Sequence, residues 1–117
     1  MRGADISGAE MIETDCTNVD FTQANLSEAN FKHAILKSAC FVKAKLGDAD
    51  FRSAQFINCD FAGAELIEAK FQGVDLSSVK NISAKELQSA FIDNETKVPS
   101  YIKVNWKSED TYECELV

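Results

Sequence analysis

Four thiols, one imidazole and a set of regularly spaced carboxylates are the side chains of this 117-residue chain best equipped for chemistry. Cys16, Cys40, Cys59 and Cys114 could form disulfides, bind a soft metal or attack an electrophile, and each of those uses has a spacing requirement. The sequence holds no C-x-x-C pair and no Cys/His cluster, so these positions read as reduced thiols packing as small hydrophobes. His33 is the only histidine, and it falls at a position that repeats as surface, not as a general base. No Gly-rich phosphate loop and no nucleophile elbow is present. The carboxylates are more suggestive. Glu28, Asp48 and Glu68 recur at intervals of twenty, with Glu10 and Asp50 close by, while Lys32 and Arg52 form a short basic counterpart and Lys43 and Lys45 mark another corner. Stacked carboxylates could hold a cation, but on a convex wall they lack convergent ligands and read instead as a solvated acidic ridge. The expectation is a protein that is not an enzyme and has no cofactor and no metal.

An interval of twenty has to be produced by the backbone. From Ala4 to about Lys80 a five-residue register runs without insertion or deletion, centred on Ile6, Met11, Cys16, Phe21, Leu26, Phe31, Leu36, Phe41, Leu46, Phe51, Phe56, Phe61, Leu66, Phe71 and Leu76. Every centre is apolar. Two residues earlier stands a small side chain: Ala24, Ala29, Ala34, Ala39, Ala44, Ala49 and Ala54 in most turns, and Thr14, Val19, Cys59 or Val74 in others. On an α-helix, steps of five advance by about 140° and scatter these residues around the axis. On a flat strand they would alternate between faces. A constant inward direction therefore needs one bend per repeat, and four repeats close a coil.

Columns of period twenty agree with that geometry. One holds Ile6, Leu26, Leu46 and Leu66, the next Met11, Phe31, Phe51 and Phe71, and the fourth Phe21, Phe41 and Phe61; the third is mixed, with Cys16, Leu36, Phe56 and Leu76. Like side chains stacking from coil to coil account for this. The predicted core is Leu26 to Leu76 in steps of five, the small residues turn inward at the corners, and the other three positions of each repeat face water.

The units Ala24-Asn25-Leu26-Ser27-Glu28, Ala29-Asn30-Phe31-Lys32-His33, Ala49-Asp50-Phe51-Arg52-Ser53 and Ala64-Glu65-Leu66-Ile67-Glu68 resemble the A-(D/N)-(L/F)-x-x unit of the pentapeptide repeat family. The resemblance implies an all-β solenoid, a right-handed quadrilateral β-helix of nearly four coils. Ile35, Cys40, Lys45, Gln55 and Lys70 depart from the motif by replacing Asp or Asn, and these outward positions are expected to affect surface character more than fold.

Three regions follow: the β-helix over 1–81, a capping helix and loop over 82–99, and a tail or small hairpin over 100–117. Ser83-Ala84-Lys85-Glu86 reads as a capping box, with Ser83 accepting from the first turn and Glu86 reaching back. Leu87, Ala90 and Phe91 then form the apolar face of a short helix lying across the last coil. The stretch from Asp93 to Pro99 reads as a lid. Beyond Pro99, Ile102, Val104 and Trp106 alternate with polar residues, as do Tyr112, Cys114 and Leu116 after a polar turn, which fits two strands of a hairpin. An irregular tail packing Tyr101 and Trp106 against the helix fits equally. Before Ala4 nothing caps the first coil, so a partner or an upstream domain is expected there.

The formal net charge of -7 opposes direct contact with nucleic acid phosphates, and no apolar run is long enough to span a membrane. The expectation is a cytoplasmic, non-catalytic structural or protein-interaction module. Its candidate surface comprises Glu28, Asp48, Glu68, Asp50, Tyr101, Trp106 and Tyr112, and it has the option of a homo-oligomer through the first coil or the tail. The family resemblance adds an alternative, because some members imitate duplex DNA and bind type II topoisomerases, protecting bacteria from quinolones. Duplex DNA carries about one charge per 1.7 Å, so a column this short would need on the order of ten net negative charges. Residues 1–80 hold twelve Asp and Glu against eight Lys and Arg, a net of -4.

Overall fold

Parallel bridges twenty residues apart run along four sides of the chain. Asp5, Asn25, Lys45 and Glu65 are linked in turn on the first side, and Glu10, Asn30, Asp50 and Lys70 on the second. Asp20, Cys40, Asp60 and Lys80 are linked on the fourth. On the third, Asp15 bridges Ile35, and β1 (Ile35–Lys37) pairs in parallel with β2 (Gln55–Ile57). The computed structural model describes all residues 1–117. Its first 80 form the expected four-sided coils of twenty residues.

What lets the chain bend every fifth residue is a repeated turn. The small residue after each bend donates to the preceding centre, as from Ala24 N to Phe21 O at 2.9 Å and from Ala44 N to Phe41 O at 3.0 Å. The third residue of the turn sits near φ +60°, for example Gln23 at 60°, Glu28 at 62° and Asp48 at 59°. A positive φ there is the type II pattern. A residue with a Cβ in this region costs roughly 1–2 kcal/mol. The ladder opposes that cost: Glu28 N donates to Gly47 O, and Asp48 N to Ile67 O, on the next coil.

The Asp and Asn residues before the centres do more than decorate the surface, contrary to the sequence expectation. Their side-chain oxygens accept from the N–H two residues on: Asp15 from Thr17, Asp20 from Thr22, Asn25 from Ser27, Asn30 from Lys32, Asp60 from Ala62 and Asp75 from Ser77. Each bond satisfies a turn amide that the inter-coil ladder does not reach, so the motif's acid or amide is part of the fold. Thr22 also departs from the outward pattern. It is buried, and its hydroxyl donates to Asp20 Oδ1 at 2.5 Å and lies 3.2 Å from Cys40 Sγ.

Inside the coils the centres from Phe21 to Leu76 are buried, as are the inward Ala residues from Ala24 to Ala69. Phe31 and Phe51 stack with centroids 4.9 Å apart and planes within 10°, and Phe51 and Phe71 at 5.1 Å and 5°. Between columns the rings meet edge to face, Phe31 and Phe41 at 85°. The mixed third column perturbs this order. Phe56 packs its ring 5.7 Å from Phe61, and Phe61 is tilted 50° from Phe41 above it. Ile6 and Met11 in the first coil are only partly buried.

At the other end the short helix α1 (Ala84–Gln88) carries Ser83 as its N-cap, with Glu86 N donating to Ser83 Oγ at 3.3 Å. The reciprocal half of the capping box is absent. Glu86 Oε1 instead accepts from Leu66 N at 2.8 Å, completing the rung that the last coil leaves open. The expected apolar face also needs correction: Leu87 and Ala90 are buried, but Phe91 lies past the helix end and is 46% exposed, while Ile92 turns inward. Phe91 and Lys97 extend the ladder by bridging Lys70 and Asp75. The last segment is a hairpin, with β3 (Ile102–Trp106) antiparallel to β4 (Tyr112–Leu116), and α1 packs on β4.

Candidate interaction surface

Glu28, Asp48 and Glu68 occupy the third position of three stacked turns, with φ of 62°, 59° and 60°. Their backbones are held by rung bonds to Gly47 O, Ile67 O and Ser89 O at 2.8, 2.9 and 2.8 Å. Their side chains are exposed and make no hydrogen bond or ion pair. The wall is therefore stiff where its carboxylates are free. Asp50 differs. Arg52 donates to it through Nε at 2.9 Å and Nη2 at 2.7 Å, in a bidentate pair. Partial burial works against the Asp50 carboxylate, but the bonds and charge of Arg52 outweigh it and hold its pKa below the usual range. Asp50 thus adds little free negative charge to the ridge.

The three aromatic candidates separate in the same way. Tyr101 donates its hydroxyl to Val79 O at 2.7 Å and accepts from Ile82 N at 3.1 Å. Tyr112 donates to Leu87 O at 3.1 Å and to Ala90 O, and its burial pushes its pKa up to about 12. Tyr101 pins the start of the hairpin to the end of the last coil, and Tyr112 pins it to the end of α1. Trp106 is 39% exposed, with one side tilted against Tyr112 at 5.2 Å. Around it lies a cleft of about 540 Å³ formed with Asp93, Asn94, Ser108, Glu109 and Asp110. Sequence reasoning missed this cleft because its two halves are brought together only when the hairpin folds back on the cap loop. A more apolar groove of about 580 Å³ opens between Ile82, Tyr101 and Leu116.

The thiols are dispersed and unpaired. Burial pushes Cys59 and Cys114 up to about 11 and raises Cys16, which disfavours the thiolate needed for nucleophilic work. His33 is exposed on the coil wall beside the Lys32 and Arg52 column.

Parallel four-sided coils, a turn every five residues and stacked Leu and Phe columns define a solenoid repeat protein. The chain belongs to the pentapeptide repeat family: the family model for pentapeptide repeats matches over residues 1–37, 14–52 and 44–80, with eight copies. Members of this family form right-handed quadrilateral β-helices. The crystal structure of a pentapeptide repeat protein from the Arabidopsis thaliana thylakoid lumen is similar at 28% identity and a TM-score of 0.63, covering 84% of this chain and 60% of that one. A pentapeptide repeat protein of the cyanobacterium Cyanothece 51142 matches at 17% identity and a TM-score of 0.35, over 82% of this chain and 88% of that one. QnrB1, described as a plasmid-mediated fluoroquinolone resistance protein, matches at 22% and 0.36, over 86% of this chain and 56% of its own. No curated protein matches the chain.

Proposed function

We propose that this chain is a right-handed quadrilateral β-helix serving as a non-catalytic interaction module that presents side chains to a protein partner. The observation that carries the reading is the Glu28, Asp48 and Glu68 column, three unpaired carboxylates on backbone held at both N–H and turn. Rigid presentation lowers the ordering cost of binding. The cytosolic compartment belongs to the same reading and rests on four unpaired cysteines. No helix is long and apolar enough to cross a membrane.

The test places a photo-crosslinking residue at position 48 and, as a control, at position 43 on another face. A discrete protein adduct from position 48 alone, competed by the native chain but not by a Glu28→Gln, Asp48→Asn, Glu68→Gln variant, is the expected result. Adducts of equal yield from both positions would refute the reading. Topoisomerase mimicry ranks second. The repeat region has a net charge of only -4, Asp50 is neutralised by Arg52, and the whole molecule is 37 Å long. Inhibition of gyrase supercoiling that disappears in the same triple variant would reverse the order.

A further inference from the structure

The hairpin leaves one strand edge open. Lys107 N donates to Thr111 O at 2.8 Å and Val117 N to Tyr101 O at 3.0 Å, so the odd-numbered residues of β3 exchange bonds with β4. The N–H and C=O groups of Val104 and Trp106 consequently point away from β4. Neither amide has a partner there. The opposite edge is occupied at its centre, since Cys114 N donates to Gln88 Oε1 at 2.9 Å.

The cleft beside Trp106 adds an electrostatic preference to this edge. Its walls carry Asp93, Glu109 and Asp110 and no basic residue. None of these carboxylates has an ion-pair partner, and the nearest lysine in sequence, Lys107, is turned to Glu113 at 3.9 Å. An indole ring flanked by unpaired carboxylates attracts an ammonium or guanidinium group. An open strand edge pairs with an extended backbone.

We propose that β3 and the Trp106 cleft together receive an extended segment of a partner protein, which adds a strand beside Val104 and Trp106. One Lys or Arg of that segment sits against the indole between Asp93 and Asp110. A second copy of this chain fits the site poorly. Its β3 presents Ile102, Val104 and Trp106 on the face directed at the cap and would leave the carboxylates unpaired. The proposal rests on the interaction-module reading, and Glu68 at the end of the Glu28 column lines a neighbouring hollow with Asp110. The crosslinker at position 48 and the emission of Trp106 report on different residues, so failure of one test is distinguishable from failure of the other.

Trp106 is the chain's only tryptophan, and its emission reports on the site directly. The probe is a short acetylated and amidated peptide alternating arginine with threonine. A saturable change in emission is expected, weakened about tenfold by alternate backbone N-methylation and about tenfold in an Asp93→Asn, Asp110→Asn variant. Asn at position 93 keeps the oxygen that accepts from Gly73 N and Glu95 N, so the loop is retained. No saturable change at millimolar peptide would overturn the proposal, as would an equal response to a peptide alternating glutamate with threonine. Equal affinity for the N-methylated peptide, or in the double variant, would overturn it too. Self-association that blocks the peptide would assign the edge to a second copy instead.

Discussion

The coils and the cap solve the same problem by different means. In the coils every bridge pairs residues twenty apart, and one local rule, repeated, satisfies backbone and core together. At the cap the rungs continue, but their spacing stretches to 21 from Lys70 to Phe91 and 22 from Asp75 to Lys97. Side chains there take over from backbone. Glu86 serves Leu66 N, Asp93 and Thr96 serve Gly73 N, and Tyr101 serves Val79 O and Ile82 N. A solenoid end is thus closed by individual residues whose order in the chain follows no period.

That difference predicts where damage spreads. Phe51 stacks between Phe31 and Phe71 and touches Phe41 and Phe56. Phe51→Ala should cost about 3–5 kcal/mol through lost transfer energy and a cavity. Phe51→Asp should abolish cooperative melting by burying an unpaired charge. Denaturant titration followed by circular dichroism checks both. A cooperative transition retained in Phe51→Asp would contradict the inward stack.

In the cap the largest single effect should come from Glu86. Glu86→Ala leaves Leu66 N without an acceptor, at a cost of about 1–3 kcal/mol. Glu86→Gln keeps a carbonyl oxygen in place and should recover most of it. Amide exchange at Leu66 is the readout: it should accelerate in the Ala variant and stay slow in the Gln variant. Equal exchange in both would mean that α1 closes the coil by packing alone.

Those two regions also differ in how far the sequence reveals them. The core from Leu26 to Leu76 was legible because a period of five, read as twenty, leaves a column pattern that few other backbones can produce. The turn-capping role of Asp15 or Asp60 was not, since an outward position looks the same whether or not its carboxylate bonds to the backbone. Glu86 fitted a local capping box, and only the stacked coil beneath it supplied the competing donor, Leu66 N. Tyr101, Trp106 and Tyr112 read as one aromatic group. Two became pins and one stayed at the surface, because partners 19 to 25 residues away decide each case.

Tyr112→Phe should have a smaller and strictly local effect. Losing its hydroxyl bonds to Leu87 O and Ala90 O should cost about 1 kcal/mol. Hydrogen exchange across β3 and β4 should accelerate while the coil amides around Phe41 and Phe51 keep their protection. If both regions lose protection together, the cap and the coils unfold as one unit and the distinction between them is structural only.

The weakest effect should be an acid dependence set chiefly by the turn carboxylates of the coils. The Thr22 hydroxyl and backbone N–H, with Arg2, lower the Asp20 pKa to about 2, and Thr17 and Ser77 lower Asp15 and Asp75 by the same bonds. An unfolded Asp titrates near 3.9, so the folded chain holds these protons less tightly than the unfolded one. Their contribution is then complete above about pH 4 and is lost as pH falls below it, for Asp20 toward about 2. Thermal melts should show the transition temperature declining across that interval. Thr22→Val and Ser77→Ala should each flatten the decline, since the lowered pKa depends on the hydroxyl. Asp93 in the cap loop, lowered despite desolvation by the amides of Gly73 and Glu95, should titrate in the exchange of those two amides. A slope unchanged in both hydroxyl variants would remove the turn carboxylates as its source.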